Sequence, residues 1–193
     1  ICIIIVMFFK RTSSKRRLWL KLGLSISSIY MLFTLGNKLY INSIFKTSLQ
    51  DSAISATRFS NQPAIFNNIL WYGIAETENS YFVSDYSLLD TENRFLNFRE
   101  IPKQRDLKSS EYKDIKDLAW FSNQYYSVYK LNENKYQYND LRYPLLDIDD
   151  PNTSVFTLLL YKENERLNMK PFAPKVDSLG DAMATLWERI KGI

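Results

Sequence analysis

Two small groups of residues in this chain have the types and spacing to do chemistry. The first lies in PAIFNNILWYGIAE, residues 63–76, where Asn67 and Asn68 precede a run whose alternation sends Trp71 and Tyr72 to opposite faces of a strand. Paired amides beside an indole could grip a ligand at a sheet edge. The plainer reading has the amides satisfying loop backbone while Trp71 fills the core. The second group is NDLRY, residues 139–143, in which Asp140 and Arg142 are two apart and so project from one face of a strand. They can form a structural ion pair, or Arg142 can reach a ligand.

Other candidates are weaker. Asp85 with Tyr86, and Glu76 with Glu78, offer carboxylates for acid/base work, but nothing in the sequence sets their separation. Asp147, Asp149 and Asp150 could present oxygens to Ca²⁺, yet the run lacks the glycine and distal acid of a calcium loop and reads as a solvated turn before Pro151. Histidine is absent, and the one cysteine, Cys2, lies in an apolar run. A Ser-His triad, a Cys-His dyad or a zinc site therefore cannot be assembled from these residues, and no catalytic residue or metal ligand is assigned among them.

The elements that must hold these groups follow from the patterning. The fold class is α+β: an N-terminal transmembrane helix or helices, then a mainly antiparallel sheet with two or three packing helices. Short aromatic and β-branched runs predict strands over 69–75, 81–88, 94–99, 126–131, 136–141 and 155–161. ETENS and NENK are turns of hairpin length, which makes the sheet a meander. Helices are predicted over 110–123, capped by Ser109 or Ser110, and over 178–190, capped by Asp177 or Ser178. Stretches 100–109, 144–153 and 163–177 read as irregular.

Ahead of this domain, residues 18–36 read LWLKLGLSISSIYMLFTLG, roughly 28 Å as a helix, close to the thickness of a bilayer's hydrocarbon core. Residues 1–37 carry six Lys and Arg and no acid, while the remainder holds 19 basic and 21 acidic residues. The formal charge of +4 thus belongs to the membrane flank, and the mildly acidic domain is not expected to bind nucleic acid. A basic n-region before an apolar stretch is also the layout of a signal peptide. Against that stand the apolar run at 1–9 and the want of a small-x-small cleavage site after Gly36. The preferred reading is the end of one span at 1–9, the loop KRTSSKRR with five positive charges, and a full span at 18–36. The positive-inside rule places that loop in the cytoplasm and everything beyond Asn37 outside it. Residues 38–62 then form a stalk or amphipathic helix, helical through about Thr57, and residues 63–193 the extracytoplasmic domain. The start at Ile1, within an apolar run, reads as a fragment of a longer protein.

The strings FNNILWYGIAE, YFVSDYSLLD, LAWFSNQYYSVYK, NDLRY and LWERIKG, in that order, resemble the C-terminal half of the membrane-bound metal-dependent hydrolase family, which includes the LexA-binding inner-membrane hydrolases. The likeness runs from about Pro63 to the end. It implies a multi-pass protein of the bacterial inner membrane whose divalent metal is bound by His- and Asp-bearing motifs in an N-terminal region that this chain does not contain. No ligand is carried over to any position here, so the resemblance implies a cofactor for the full-length protein and none for this fragment. Its partners would be the lipid bilayer and the upstream transmembrane helices of the same protein. The alternative function is a non-enzymatic, membrane-anchored binding or sensor domain that uses the 63–72 segment as its contact surface.

Overall fold

The computed structural model describes residues 9, 13–64, 67–108, 111–144, 154–163, 166–172 and 179–192. The chain is α+β, with a long apolar N-terminal helix followed by two antiparallel four-stranded sheets and two short helices. It divides into two compact units, 1–41 and 42–193.

Helix α1, Ser14–Asp51, runs for 38 residues. In the first unit it is long and apolar enough to cross a membrane, and the apolar window is 0% buried. Leu24, Ile29, Met31 and Leu32 are each exposed by more than half. A secretory signal sequence has the same look. The expected span end at 1–9 falls almost wholly outside the described residues.

In the second unit, the last turns of α1 bury Ile44, Phe45 and Leu49. The Phe45 ring packs edge-on to Phe95 at 4.7 Å and tilts against Phe59 at 5.5 Å. The helix does not continue to Thr57. Ile54 N–H bonds to Leu49 C=O (2.9 Å) and Ala53 N–H to Gln50 C=O (3.0 Å), with Ala53 at φ 54°, a Schellman stop that uses alanine where glycine is usual. Beyond it, β1 (Arg58–Pro63) occupies positions that the sequence assigns to the end of the stalk.

The first sheet has the order β1-β2-β3-β4, with β2 Leu70–Glu76, β3 Ser80–Ser87 and β4 Arg99–Pro102. The expected strand over 94–99 is instead a chain of bends that reaches β4 only at Arg99. Asn97, at φ 53°, breaks the extended run, and the N–H of buried Phe95 bonds to Ser48 Oγ (2.9 Å) rather than to a strand. On β2, Gly73 lies beneath the Phe45 ring, and a Cβ there would collide with that ring and with the Asn61 side chain. Close helix-to-sheet approach is what requires glycine at this position.

Helix α2, Lys113–Phe121, leads into the second sheet, with order β5-β6-β7-β8. Its strands are β5 Tyr126–Asn132, β6 Lys135–Asp140, β7 Thr157–Glu163 and β8 Arg166–Pro171. The sequence predicts one sheet where the chain forms two, and β8 falls in a stretch read as irregular. The N-cap of α2 is Tyr112, with no side-chain capping bond; the predicted caps Ser109 and Ser110 lie outside the described residues. Helix α3, Leu179–Ile190, closes the chain where predicted, and its predicted caps Asp177 and Ser178 also lie outside the described residues.

Two cores result. One joins the sheets and contains Tyr72, Ile74, Tyr81, Val83, Ile101, Tyr125 and Leu141. The other packs Ile115 and Leu118 of α2 against Tyr126, Val128, Tyr138 and Leu160 of the second sheet.

Candidate functional site

Asn67 begins the path into β2. Its Oδ1 accepts the N–H groups of Ile69 (2.9 Å) and Leu70 (2.8 Å), an Asx turn that starts the strand. The C=O of Asn68 accepts Trp71 Nε1–H at 3.0 Å, and Trp71 is 2% exposed. The structure thus gives all three residues a part in the turn and the core behind it.

Asp140 and Arg142 form the ion pair that their spacing allows. Arg142 donates from Nε (3.0 Å) and Nη2 (2.6 Å) to a carboxylate that is fully buried, and its own N–H bonds to the same group at 3.1 Å. The guanidinium lies 5.0 Å from the centre of the Phe121 ring. Backbone links this group to the first sheet, since Gln62 Nε2 donates to Arg142 C=O (3.0 Å) and Tyr72 Oη to Leu141 C=O (3.2 Å). Burial, with the charges of Asp140 and Asp85 behind it, pushes the Tyr72 phenol far up, so it is a neutral donor.

Two of the remaining sequence candidates, Asp85 and Glu76, are also engaged. Arg189 on α3 binds Asp85 (2.5 Å) and, through both terminal nitrogens, Asp90 (2.6 and 2.8 Å). Burial works against the Asp90 carboxylate, but Arg189 and the Ser87 N–H outweigh it and hold the group below the usual range. Together with Glu92, Arg94 and Asn97 these residues line a polar cleft of about 370 Å³. Glu76 is held by Arg58 and, at 2.8 Å, by Lys103. Asp147, Asp149 and Asp150 lie outside the described residues.

Among the described residues, no group of three or more His, Cys, Asp or Glu could hold a metal ion. Asp85 and Asp90 are joined by an arginine rather than open to a cation. The described residues therefore do not fit a divalent metal.

Sequence reasoning missed the arginines that organise both ends of β3. Arg189 reaches Asp85 across 104 residues, a distance at which no local spacing speaks. Arg105 lies in a stretch read as irregular, yet that stretch runs beside β5: Val128 N–H bonds to Gln104 C=O (2.8 Å), and Asp106 N–H to Val128 C=O (3.1 Å). Compared with protein-family models, with curated proteins and with solved structures, the chain matches none.

Proposed function

We propose that this chain is the extracytoplasmic accessory domain of a multi-pass, metal-dependent hydrolase of the bacterial inner membrane. The observation that carries the membrane part is the apolar sheath of α1, 0% buried along its most apolar window and flanked at its start by Lys15, Arg16 and Arg17. Apolar side chains along a whole helix circumference are unfavourable in water and favourable in lipid, and the basic flank favours the cytoplasmic side. The hydrolase part is supported by the ordered strings FNNILWYGIAE to LWERIKG. A catalytic metal would be held by residues elsewhere in the hydrolase, and this domain would cover or feed that site.

Fractionation with topology labelling tests the proposal. In a Cys2→Ser background, Glu133→Cys places a thiol at an exposed turn between β5 and β6. The chain should stay with membranes through an alkaline carbonate wash, and a membrane-impermeant maleimide should label it in intact spheroplasts. Release by carbonate removes the anchor, labelling only after permeabilisation reverses the orientation, and shortening from the N-terminus identifies a cleaved leader.

The cleft beside Arg189 favours a second reading, a membrane-anchored binding or sensor domain with no catalytic parent. Metal-dependent hydrolysis by membranes that hold the longer protein, lost on deletion of 42–193, would set that reading aside.

A further inference from the structure

Around Tyr81 at the start of β3, Lys103 and Arg58 meet one carboxylate, Glu76, and a third cation, Arg105, lies on the Tyr81 hydroxyl. Lys103 Nζ is saturated: it binds Glu76 (2.8 Å), Thr77 C=O (2.6 Å) and Glu78 C=O (3.0 Å). Arg58 binds Glu76 and lies over the Tyr125 ring, 4.2 Å from its centre. Arg105 is different. Its guanidinium lies 4.5 Å from the centre of the Tyr126 ring, and Nη2 donates to Tyr81 Oη at 2.9 Å and to Gln124 C=O at 3.5 Å. Among the described residues no carboxylate pairs with it, and its buried Nε has no hydrogen-bond partner. Asp106 is occupied by the Gln104 amide (2.5 Å) and Lys130 N–H (2.6 Å).

A half-buried guanidinium with an orphaned donor is costly, and native proteins rarely keep one without a use. The surroundings hold it in place. Tyr81 Oη donates to Gln124 C=O at 2.7 Å while it accepts from Arg105, so the phenol cannot turn away. Burial pushes that phenol's pKa up, against the pull of Arg105, and keeps it a neutral bridge. Gln124 is itself in the left-handed region at φ 65°, directly after Asn123 at φ 51°. The helix stop explains Asn123, because Gln124 N–H and Asn123 N–H bond back to Ala119 (2.7 Å) and Trp120 (3.0 Å). A second consecutive left-handed residue is strain that the stop alone does not require, and it aims the Gln124 carbonyl at Tyr81 and Arg105.

We propose that this junction between the two sheets is a binding site for a small oxyanion, phosphate being the simplest, with Arg105 as the principal contact and Arg58 as the second cation. A planar guanidinium already stacked on a tyrosine face has little freedom left to lose; with Nε closed off and Nη2 shared by Tyr81 and Gln124, its Nη1 is the nitrogen left to meet phosphoryl oxygens. The site does not depend on the membrane assignment, since every residue in it belongs to the second unit. The oxyanion can come from solution or from a lipid headgroup, and the chemistry at Arg105 is the same.

The test uses the full chain in phosphatidylcholine nanodiscs, with inorganic phosphate titrated against chloride at constant ionic strength and followed by calorimetry and thermal unfolding. Phosphate should give a saturable rise in Tm, and Arg105→Ala should weaken the affinity at least tenfold. Arg105→Gln, which keeps a donor for Tyr81 without the charge, should show the same loss in a chain that folds. Lys113→Ala, at an exposed position with a 77% accessible side chain, should bind as wild type. A second arm uses discs that contain phosphatidate. An Arg105-dependent rise in Tm there, with no response to free phosphate, identifies a headgroup as the source and keeps the site. No response in either arm, or equal responses from wild type and both Arg105 variants, overturns it.

Discussion

The two ends of β3 each hold a half-buried arginine, and the two are compensated in opposite ways. At the end of the strand, Arg189 is enclosed by Asp85 and Asp90, and the neighbouring Ser87 Oγ donates to Ile190 C=O at 2.6 Å. Every charge there has a partner, and the result is a clamp that fixes α3 to the first sheet. At the start of the strand, Arg105 has a tyrosine hydroxyl, a carbonyl and a ring face, but no carboxylate among the described residues. A paired arginine of the first kind recurs in Arg142 with Asp140, while Arg166 reaches the buried Asp114 from an exposed position. The contrast teaches that the fold has the means to neutralise a buried arginine and uses it elsewhere, so the bare one at the junction stands out by comparison with its own neighbours.

Substitution should separate the two kinds, beginning where burial is deepest. Asp140 is fully buried and Arg142 is 24% exposed at its side chain, so Asp140→Ala removes the four hydrogen bonds that Arg142 makes to that carboxylate and leaves a cation short of acceptors. The expected loss is about 3 kcal/mol in urea unfolding, toward the low end for a broken buried pair because Arg142 can still reach water. A loss under about 1 kcal/mol would mean that Arg142 is held by the Phe121 ring and not by its charge partner.

The clamp comes next. Arg189→Ala frees two carboxylates that are 26% and 18% exposed, both able to rehydrate, so about 2 kcal/mol should be lost. The effect should be local as well as global. Amide exchange across α3 should accelerate more than exchange in the second sheet, because Arg189 and Ser87 supply the polar ties between that helix and β3. Uniform acceleration everywhere would show that α3 is held by its apolar face instead.

How much of this was legible in the sequence depends on whether a residue's partner lies near it in the chain. Strands β2, β3, β5 and β6 could be read because their aromatic and β-branched side chains alternate within the segment itself. Strands β1, β4 and β8 could not: they read RFSNQP, REIP and RLNMKP, all three end in proline, and all three lie at sheet edges. An edge strand needs few strong β-formers and tolerates proline, so its strand character comes from the neighbour it pairs with, as Asn61 does opposite Gly73. The end of α1 was illegible for a similar reason, since Ala53 takes the place of the glycine that would have announced it. At the sites, Asp140 and Arg142 declare their pairing through a spacing of two, whereas Asp85 and Arg189 declare nothing across 104 residues.

Acid titration gives the smallest effect and bears on the comparison from the other side. Arg166 and the Leu167 N–H hold the Asp114 carboxyl below its usual range, against the cost of burial. Glu76 is lowered too, since Lys103 and Arg58 overcome its burial, and Asp90 is lowered by Arg189. A carboxylate whose folded pKa lies below its unfolded value contributes stability that is complete above the unfolded value, about 4, and is lost as pH falls through the folded one. The urea midpoint should therefore be level between about pH 7 and 5 and fall below about pH 4. Asp114→Asn should flatten part of that fall, and Arg189→Ala another part. Arg105→Ala should change the slope less than either, because Glu76, the carboxylate whose charge Arg105 feels, is held low by Lys103 and Arg58. If Arg105→Ala flattened the acid limb as much as Arg189→Ala does, Glu76 would be its counter-ion, and the junction would be a third clamp instead of an anion site.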